Sequence, residues 1–131
     1  MSTRPGFHQI TPYLIVDDAR RALEFYAAAF GAEKTYEVTM GDRIGHAEMR
    51  IGDSHIMVAS EFPEWEIRGP KALGGSTANL YLYVADVDES IRRFAAAGGT
   101  VHQEARDEID GDRRGRLEDP FGHIWHIATH I

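Results

Sequence analysis

The stretch Tyr13–Gly31, YLIVDDARRALEFYAAAFG, is written again between Tyr81 and Gly99 as YLYVADVDESIRRFAAAGG. At this offset of 68 residues (81 − 13), Tyr13, Leu14, Val16, Asp18, Ala27, Ala28, Ala29 and Gly31 meet identical residues without a gap. Leu23 over Ile91 and Tyr26 over Phe94 keep their apolar character. Further on, residues 41–60 lie over residues 111–130 at an offset of 70 (111 − 41). Gly-Asp-Arg recurs there, and Gly45, Glu48 and Gly52 return as Gly115, Glu118 and Gly122. Two extra residues in a loop of the second copy account for the change of offset. Such self-similarity marks one supersecondary unit used twice.

Each copy follows the same local grammar. Residues 12–16 alternate as a strand does and end in an Asp pair, either of which can cap a following helix by accepting its free N–H groups. Ala19, Ala22, Leu23, Tyr26 and Phe30 then recur at spacings of three and four, and Gly31 stops the helix. In the second copy Asp86 and Glu89 stand at capping-box spacing, with Val87, Ile91, Phe94 and Ala95 as the stripe and Gly98-Gly99 as the end. Three strands follow in each half: residues 35–40, 44–51 and 55–59, then 100–105, 113–118 and 124–129. Tyr36, Val38 and Met40 share one face of the first of these. The expected fold class is therefore α+β, two tandem βαβββ modules over residues 7–60 and 77–130. A linker spans 61–76, where Pro63, Pro70, Gly69, Gly74 and Gly75 break regular structure.

Composition narrows the function. The chain has 131 residues, 43% hydrophobic and 27% charged, ordinary for a globular protein with its own core. It has no cysteine, which excludes disulfides, thiolate nucleophiles and cysteine-held zinc. A formal net charge of −7 repels phosphate backbones, so no nucleic-acid partner is expected. There is no apolar run of spanning length and no signal-like N-terminus, so no membrane partner is expected and the location is expected to be cytoplasmic. Neither a Gly-x-Ser-x-Gly elbow nor a Gly-Lys-Ser/Thr phosphate loop is present.

The tandem order resembles the glyoxalase/bleomycin-resistance/dioxygenase (vicinal oxygen chelate) superfamily. The likeness rests on Leu14-Ile15-Val16-Asp17-Asp18 running into Ala22-Leu23-Glu24-Phe25-Tyr26, on Leu82 to Asp88, and on Gly111-Asp112-Arg113 to Asp119-Pro120-Phe121-Gly122-His123-Ile124-Trp125. The last stretch, with Leu73-Gly74-Gly75, is similar to the PhnB-like branch. The resemblance implies that each module curls into a half-barrel and that paired modules enclose a cavity. It also implies that the first and last strands of each module carry divalent-metal ligands. Thr11, Ile56 (Met57 if the register slips by one), Asn79 and His126 fall at those positions. Only His126 is a competent ligand of such ions, so no metal cofactor is expected.

If Thr11, Asn79 and His126 mark the cavity face, alternation adds Tyr13, Ile15, Tyr81, Tyr83 and Ile124. Ala47, Met49 and Ile51 would then pack on the helix, leaving His46, Glu48 and Arg50 inward, with Arg116 and Glu118 as their equivalents. His126 is either a ligand contact or a polar residue ending a strand. Glu48 and Glu118 are either an acid–base couple or partners of nearby arginines. Arg116 is either a bidentate clamp for a carboxylate or phosphate, or a surface arginine. Trp65 with Phe62 either lids the cavity or covers the core.

Three functions fit these residues. The leading expectation is a small-molecule-binding homodimer without the usual metal, whose half-barrel edges a second chain covers. The alternative is a metal-dependent lyase, isomerase or dioxygenase with ligands moved to His126 and Glu118, His46 or Glu48. A third is a protein-interaction module with its cavity filled by Trp125, Tyr81 and Tyr83.

Overall fold

A computed structural model describes residues 2–131 and divides them into two four-stranded mixed sheets carrying helices. The first module runs β1 (Tyr13–Val16), α1 (Ala19–Phe30), β2 (Glu33–Met40), β3 (Arg43–Ile51) and β4 (Ser54–Ser60). A 3-10 turn at Pro63–Trp65 and a short helix α2 (Pro70–Leu73) lead to the second. That module runs β5 (Asn79–Tyr83), α3 (Val87–Ala96), β6 (Thr100–Asp107), β7 (Asp112–Glu118) and β8 (Ile124–His130). Strand order is β1-β4-β3-β2 in one sheet and β5-β8-β7-β6 in the other, with β1 parallel to β4 and β5 parallel to β8. Neither sheet closes on itself. The two-module α+β architecture expected from the repeat is the one observed. Among the described residues no helix is long and apolar enough to cross a membrane.

Helices α1 and α3 begin where the Asp residues direct them. Asp18 accepts from the Arg21 N–H at 3.2 Å, and Asp86 accepts from the Glu89 N–H at 3.2 Å. The reciprocal half of the capping box is not made, because the Glu89 carboxylate is held by Arg92 instead. Gly31 ends α1 with φ 67°, a left-handed conformation that glycine adopts without a Cβ clash. The linker, expected to lack regular structure, holds the turn and α2. Proline at the first helical position explains both, since its missing N–H is one that a helix start leaves unbonded.

Helices α1 and α3 pack on each other as well as on their sheets, and this alters which residues are buried. Phe25 lies outside the expected stripe yet is buried against Phe94, ring centroids 5.0 Å apart. Leu23 and Phe30 are only partly covered, and Ala95, expected on the stripe of α3, is exposed. Between the modules sits the buried carboxylate of Asp119. Its Oδ2 accepts from the Tyr26 hydroxyl at 2.6 Å and the Trp125 indole N–H at 2.9 Å. Its Oδ1 accepts from the backbone N–H groups of Phe121 and His123 at 2.9 and 3.0 Å. His123 in turn bonds through Nε2 to the carbonyl of Ile15 on β1, at 2.8 Å. The Asp119-to-Trp125 motif thus joins the second module to the first strand and helix of the chain. Trp125 belongs to this core and does not fill a cavity on the opposite face.

Candidate functional site

The strand pairing decides which side chains share the face away from the helices. Directly paired residues in a sheet point the same way. Tyr13 pairs with Met57, and Met57 with Glu48, so Tyr13, Met57 and Glu48 form one row across the first sheet. Tyr81 pairs with His126, and His126 with Arg116, which gives the matching row of the second. Two expectations are corrected here. Ile56 is buried toward α1 beside Met49, so Met57 is the residue on the open face. The structural counterpart of Glu48 is Arg116 (48 + 68), not Glu118. Glu118 pairs with Ile124, in the row of Asn79, where the first module has Arg50 opposite His55. The Gly-Asp-Arg repeat aligns the turns, but the pairing of the following strands is offset by two.

Around Glu48 the open face of the first module carries a connected set of polar groups. Arg4, from the segment before β1, makes a two-point contact with the Glu48 carboxylate at 2.9 and 2.7 Å. His46 Nε2 lies 2.7 Å from the same carboxylate, and the Tyr13 hydroxyl lies 2.8 Å from His46 Nδ1. With Nε2 donating to Glu48, Nδ1 is left to accept the Tyr13 proton. Glu48 is only 3% exposed, yet the Arg4 guanidinium, and after it His46, holds its pKa below the usual carboxylate range against the opposing effect of burial. Burial, and then the Glu48 charge, pushes the Tyr13 phenol up. Tyr36 and Val38 stand opposite Glu48 and His46 on β2 and are half-exposed. Beyond a bulge, Met40 fills the space above Gly45, where a Cβ would lie 2.5 Å from its sulfur. This end of the face forms a cleft of about 520 Å³ that Phe62 and Trp65 border, their rings stacked 5.0 Å apart. Trp65 therefore stands at the cleft, not over the core.

The second module presents a different surface. Asp112 is buried, and its Oδ2 accepts from the hydroxyls of Tyr81 and Tyr83 at 2.6 and 2.8 Å. His130 Nδ1 lies 2.8 Å from Oδ1. The hydrogen bonds from Tyr81, His130 and Tyr83 hold the Asp112 pKa down to about 2. The same carboxylate, with partial burial, pushes Tyr83 up to about 12. His126 stacks parallel to Tyr81 at 5.8 Å, and its Nε2 is 3.0 Å from the Asn79 side-chain oxygen. Burial, then the Arg116 and Arg114 charges, lowers the His126 pKa. Glu118 pairs with His102 at 2.9 Å, and Arg50 with Glu33 at 2.7 Å. Glu48 and Glu118 therefore each have a cationic or imidazole partner and do not form an acid–base couple with one another.

A second hollow, about 540 Å³, opens between the two modules and is lined by Thr11, Tyr13, His55, Asn79 and Tyr81. Thr11 precedes β1 and reaches this cleft from the entering chain. His55, which the sequence singled out for no role, stacks on Phe7 at 4.1 Å and has a buried Nδ1 without a hydrogen-bond partner. Arg4, Asp112 and His130 were likewise missed. Asp112 belongs to the repeated Gly-Asp-Arg, a signal of the duplication alone, and only its hydrogen bonds with Tyr81 and Tyr83 reveal that it anchors them. Spaces of this size fall within the range of roughly 300–1,000 Å³ that ligand sites occupy, which counts against a collapsed and filled cavity. Among the described residues no group of three or more His, Asp or Glu side chains converges to hold a metal ion. The donors at the expected ligand positions are Thr11, Met57, Asn79 and His126, which do not fit a divalent ion.

Two unclosed four-stranded sheets, each with a helix on one face and polar and aromatic side chains on the other, define a two-module α+β architecture. The chain belongs to the Glyoxalase/Bleomycin resistance protein/Dioxygenase superfamily, whose model matches residues 6–127. It is similar to the uncharacterized protein Mb0911c of Mycobacterium bovis, 37% identical over 126 residues, covering 93% of this chain and 83% of that protein. Among solved structures it is similar to TioX from Micromonospora sp. ML1, with a TM-score of 0.74 and 26% identity, covering 95% of this chain and 99% of that one. A PhnB protein from Bacillus cereus shares the fold, with a TM-score of 0.68 and 16% identity over 93% of this chain and 99% of that one.

Proposed function

We propose that this protein binds a small organic molecule on the open faces of its half-barrels, without a divalent ion, and does so as a homodimer. The observation that carries the proposal is the occupancy of the two central rows. Met57 replaces a chelating side chain in the first, and Glu48 is already committed to Arg4 and His46. A carboxylate bound at two points by a guanidinium offers an incoming metal little, because coordination would first have to break a charge-assisted pair. The relocated-ligand alternative needs three donors at one point, and the geometry of the described residues gives it no support. Kinship with the PhnB-like branch, suggested by the Asp119-to-Trp125 stretch, forms part of this proposal.

The dimer is supported by what the single chain leaves uncovered. Tyr36 is 51% exposed and Met40 44%, on an edge strand whose outer hydrogen-bonding groups are unpaired. Apolar surface beside an open edge favours association. Elemental analysis of untagged protein purified without chelator, together with light scattering, tests both parts. The expected result is a dimer with no stoichiometric divalent metal. One bound ion per chain would overturn the metal-free reading, and a monomer at micromolar concentration would overturn the dimer.

A further inference from the structure

The two open faces differ in chemistry, and the difference specifies a ligand. The first carries an aromatic and apolar patch of Tyr13, Tyr36, Val38 and Met40 beside the mutually bonded Arg4, Glu48 and His46. The second is cationic, with Arg106, Arg114, Arg116 and His126 around a hollow of about 190 Å³. Two of its three guanidinium groups are committed. Arg106 binds Glu108 at 2.7 Å, and Arg114 binds Asp110 at 2.7 Å. Arg116 has no carboxylate within ion-pair distance among the described residues. In a chain with a net charge of −7, an unmatched arginine in the central row of a ligand-binding face is a charge awaiting a partner.

The neighbouring side chains define the rest of that partner. Tyr81 and Tyr83 are 45% and 60% exposed, yet their hydroxyls are fixed on one oxygen of Asp112. The rings are therefore held still, Tyr81 against His126 and Tyr83, with about half of each left open, an arrangement that binds a flat apolar body at low entropic cost. A single spare positive charge matches a single negative one. Buried Asp112 would repel a second, which disfavours a phosphate dianion.

We infer that this hollow holds the carboxylate of an aromatic monoacid, with Arg116 as its counter-ion, and that the acid's ring extends across His126 toward the Tyr81 and Tyr83 rings, which lie on the same face outside the hollow. The inference rests on the binder reading above and gives it a ligand class. Gln103, directly opposite Arg116 on β6, supplies a neutral donor at the rim. His126, directly opposite Arg116 on β8, is the reporter. The positive field of Arg116 works against its protonation, so an anion seated on Arg116 raises its pKa.

The test is NMR titration of the His126 ring resonances in the full-length protein, with benzoate, 3-phenylpropionate, 3-phenylpropanamide and phenyl phosphate as probes. The aromatic acids are expected to bind at least about tenfold more tightly than the neutral amide, the value of one charge-assisted hydrogen bond. They should move the His126 titration to higher pH. Arg116→Gln should abolish the preference for acid over amide and, without ligand, itself raise the His126 pKa. Equal binding of acid and amide, or an unchanged preference in Arg116→Gln, overturns the inference and leaves the binder reading standing. Tighter binding of phenyl phosphate than of either carboxylate overturns the assignment to a monoanion. Silence from every probe, charged and neutral, overturns the inference and counts against the binder reading as well.

Discussion

Replacing Tyr26 by Phe removes one oxygen atom from the centre of the molecule and tests how the modules are joined. The ring is fully buried, and its hydroxyl donates to Asp119 over 2.6 Å. Phenylalanine fills the same volume, so no cavity opens, and no donor is orphaned on the helix side. What is lost is a hydrogen bond to a charged acceptor, worth about 1.5–3 kcal/mol. Asp119 retains the Trp125 indole and two backbone N–H groups, so the lower half of that range is expected, about 1.5–2 kcal/mol. For a chain of this length that is a fall in Tm of roughly 5–10 °C. Urea unfolding followed by tryptophan fluorescence measures it directly. Removing the carboxylate with Asp119→Ala should cost more, about 3–5 kcal/mol, because two buried side-chain donors and two backbone N–H groups then lack an acceptor. A Tyr26→Phe protein within about 0.5 kcal/mol of the parent would refute the reasoning, since substitutions without a mechanism fall in that range. The alkaline limb provides a second check. Burial, then Asp119, raises the Tyr26 pKa well above its ordinary 10. Its contribution is therefore complete below about pH 10, where the unfolded phenol begins to ionise, and is lost as pH rises toward the folded-state value. Tyr26→Phe should flatten that loss.

Three further outcomes follow from the other contacts. Glu48 has a lowered pKa, so it contributes stability above its unfolded value of 4.5 that fades as pH falls through the folded one. Arg4→Ala removes the largest cause, and the acid-side loss of urea resistance should shrink, while an unchanged profile would deny Arg4 this role. Asp112→Asn should bring the Tyr83 titration, read by ultraviolet absorbance, from about 12 back toward 10. In the unmodified chain Asp112 contributes stability above pH 3.8 that is lost as pH falls toward about 2. Gly115→Ala places a Cβ 2.7 Å from Ile91 Cδ1 and 2.8 Å from the Gln103 carbonyl oxygen. It should destabilise by about 1–3 kcal/mol through overpacking, which thermal unfolding would report.

The order of elements was readable because each copy carries its own punctuation. Asp18, Gly31 and Asp86 act locally, through caps that need no distant partner, and the structure uses them as expected. Facing was harder. The run Ile56-Met57-Val58-Ala59 is apolar throughout, so alternation cannot say which side meets the helix. Pairing between Tyr13 and Met57 decides it, and pairing is a non-local fact. The offset between Glu48 and Arg116 was hidden for a related reason. The identical Gly-Asp-Arg triplets report the chemistry of a turn, whereas register depends on how each hairpin continues beyond it. Arg4 could not have been assigned at all, because nothing in a Pro- and Gly-containing segment indicates that its guanidinium reaches a carboxylate 44 residues further on.

The bond between Tyr26 and Asp119 bears on the history of the duplication. At the offset of 68 that relates the two helices, the counterpart of Tyr26 is Phe94, which has no hydroxyl. The halves have therefore specialised into unlike partners, one contributing the phenol and the other the acid. A chain assembled from two copies of residues 77–130 would enclose Asp119 twice and offer a phenol to neither.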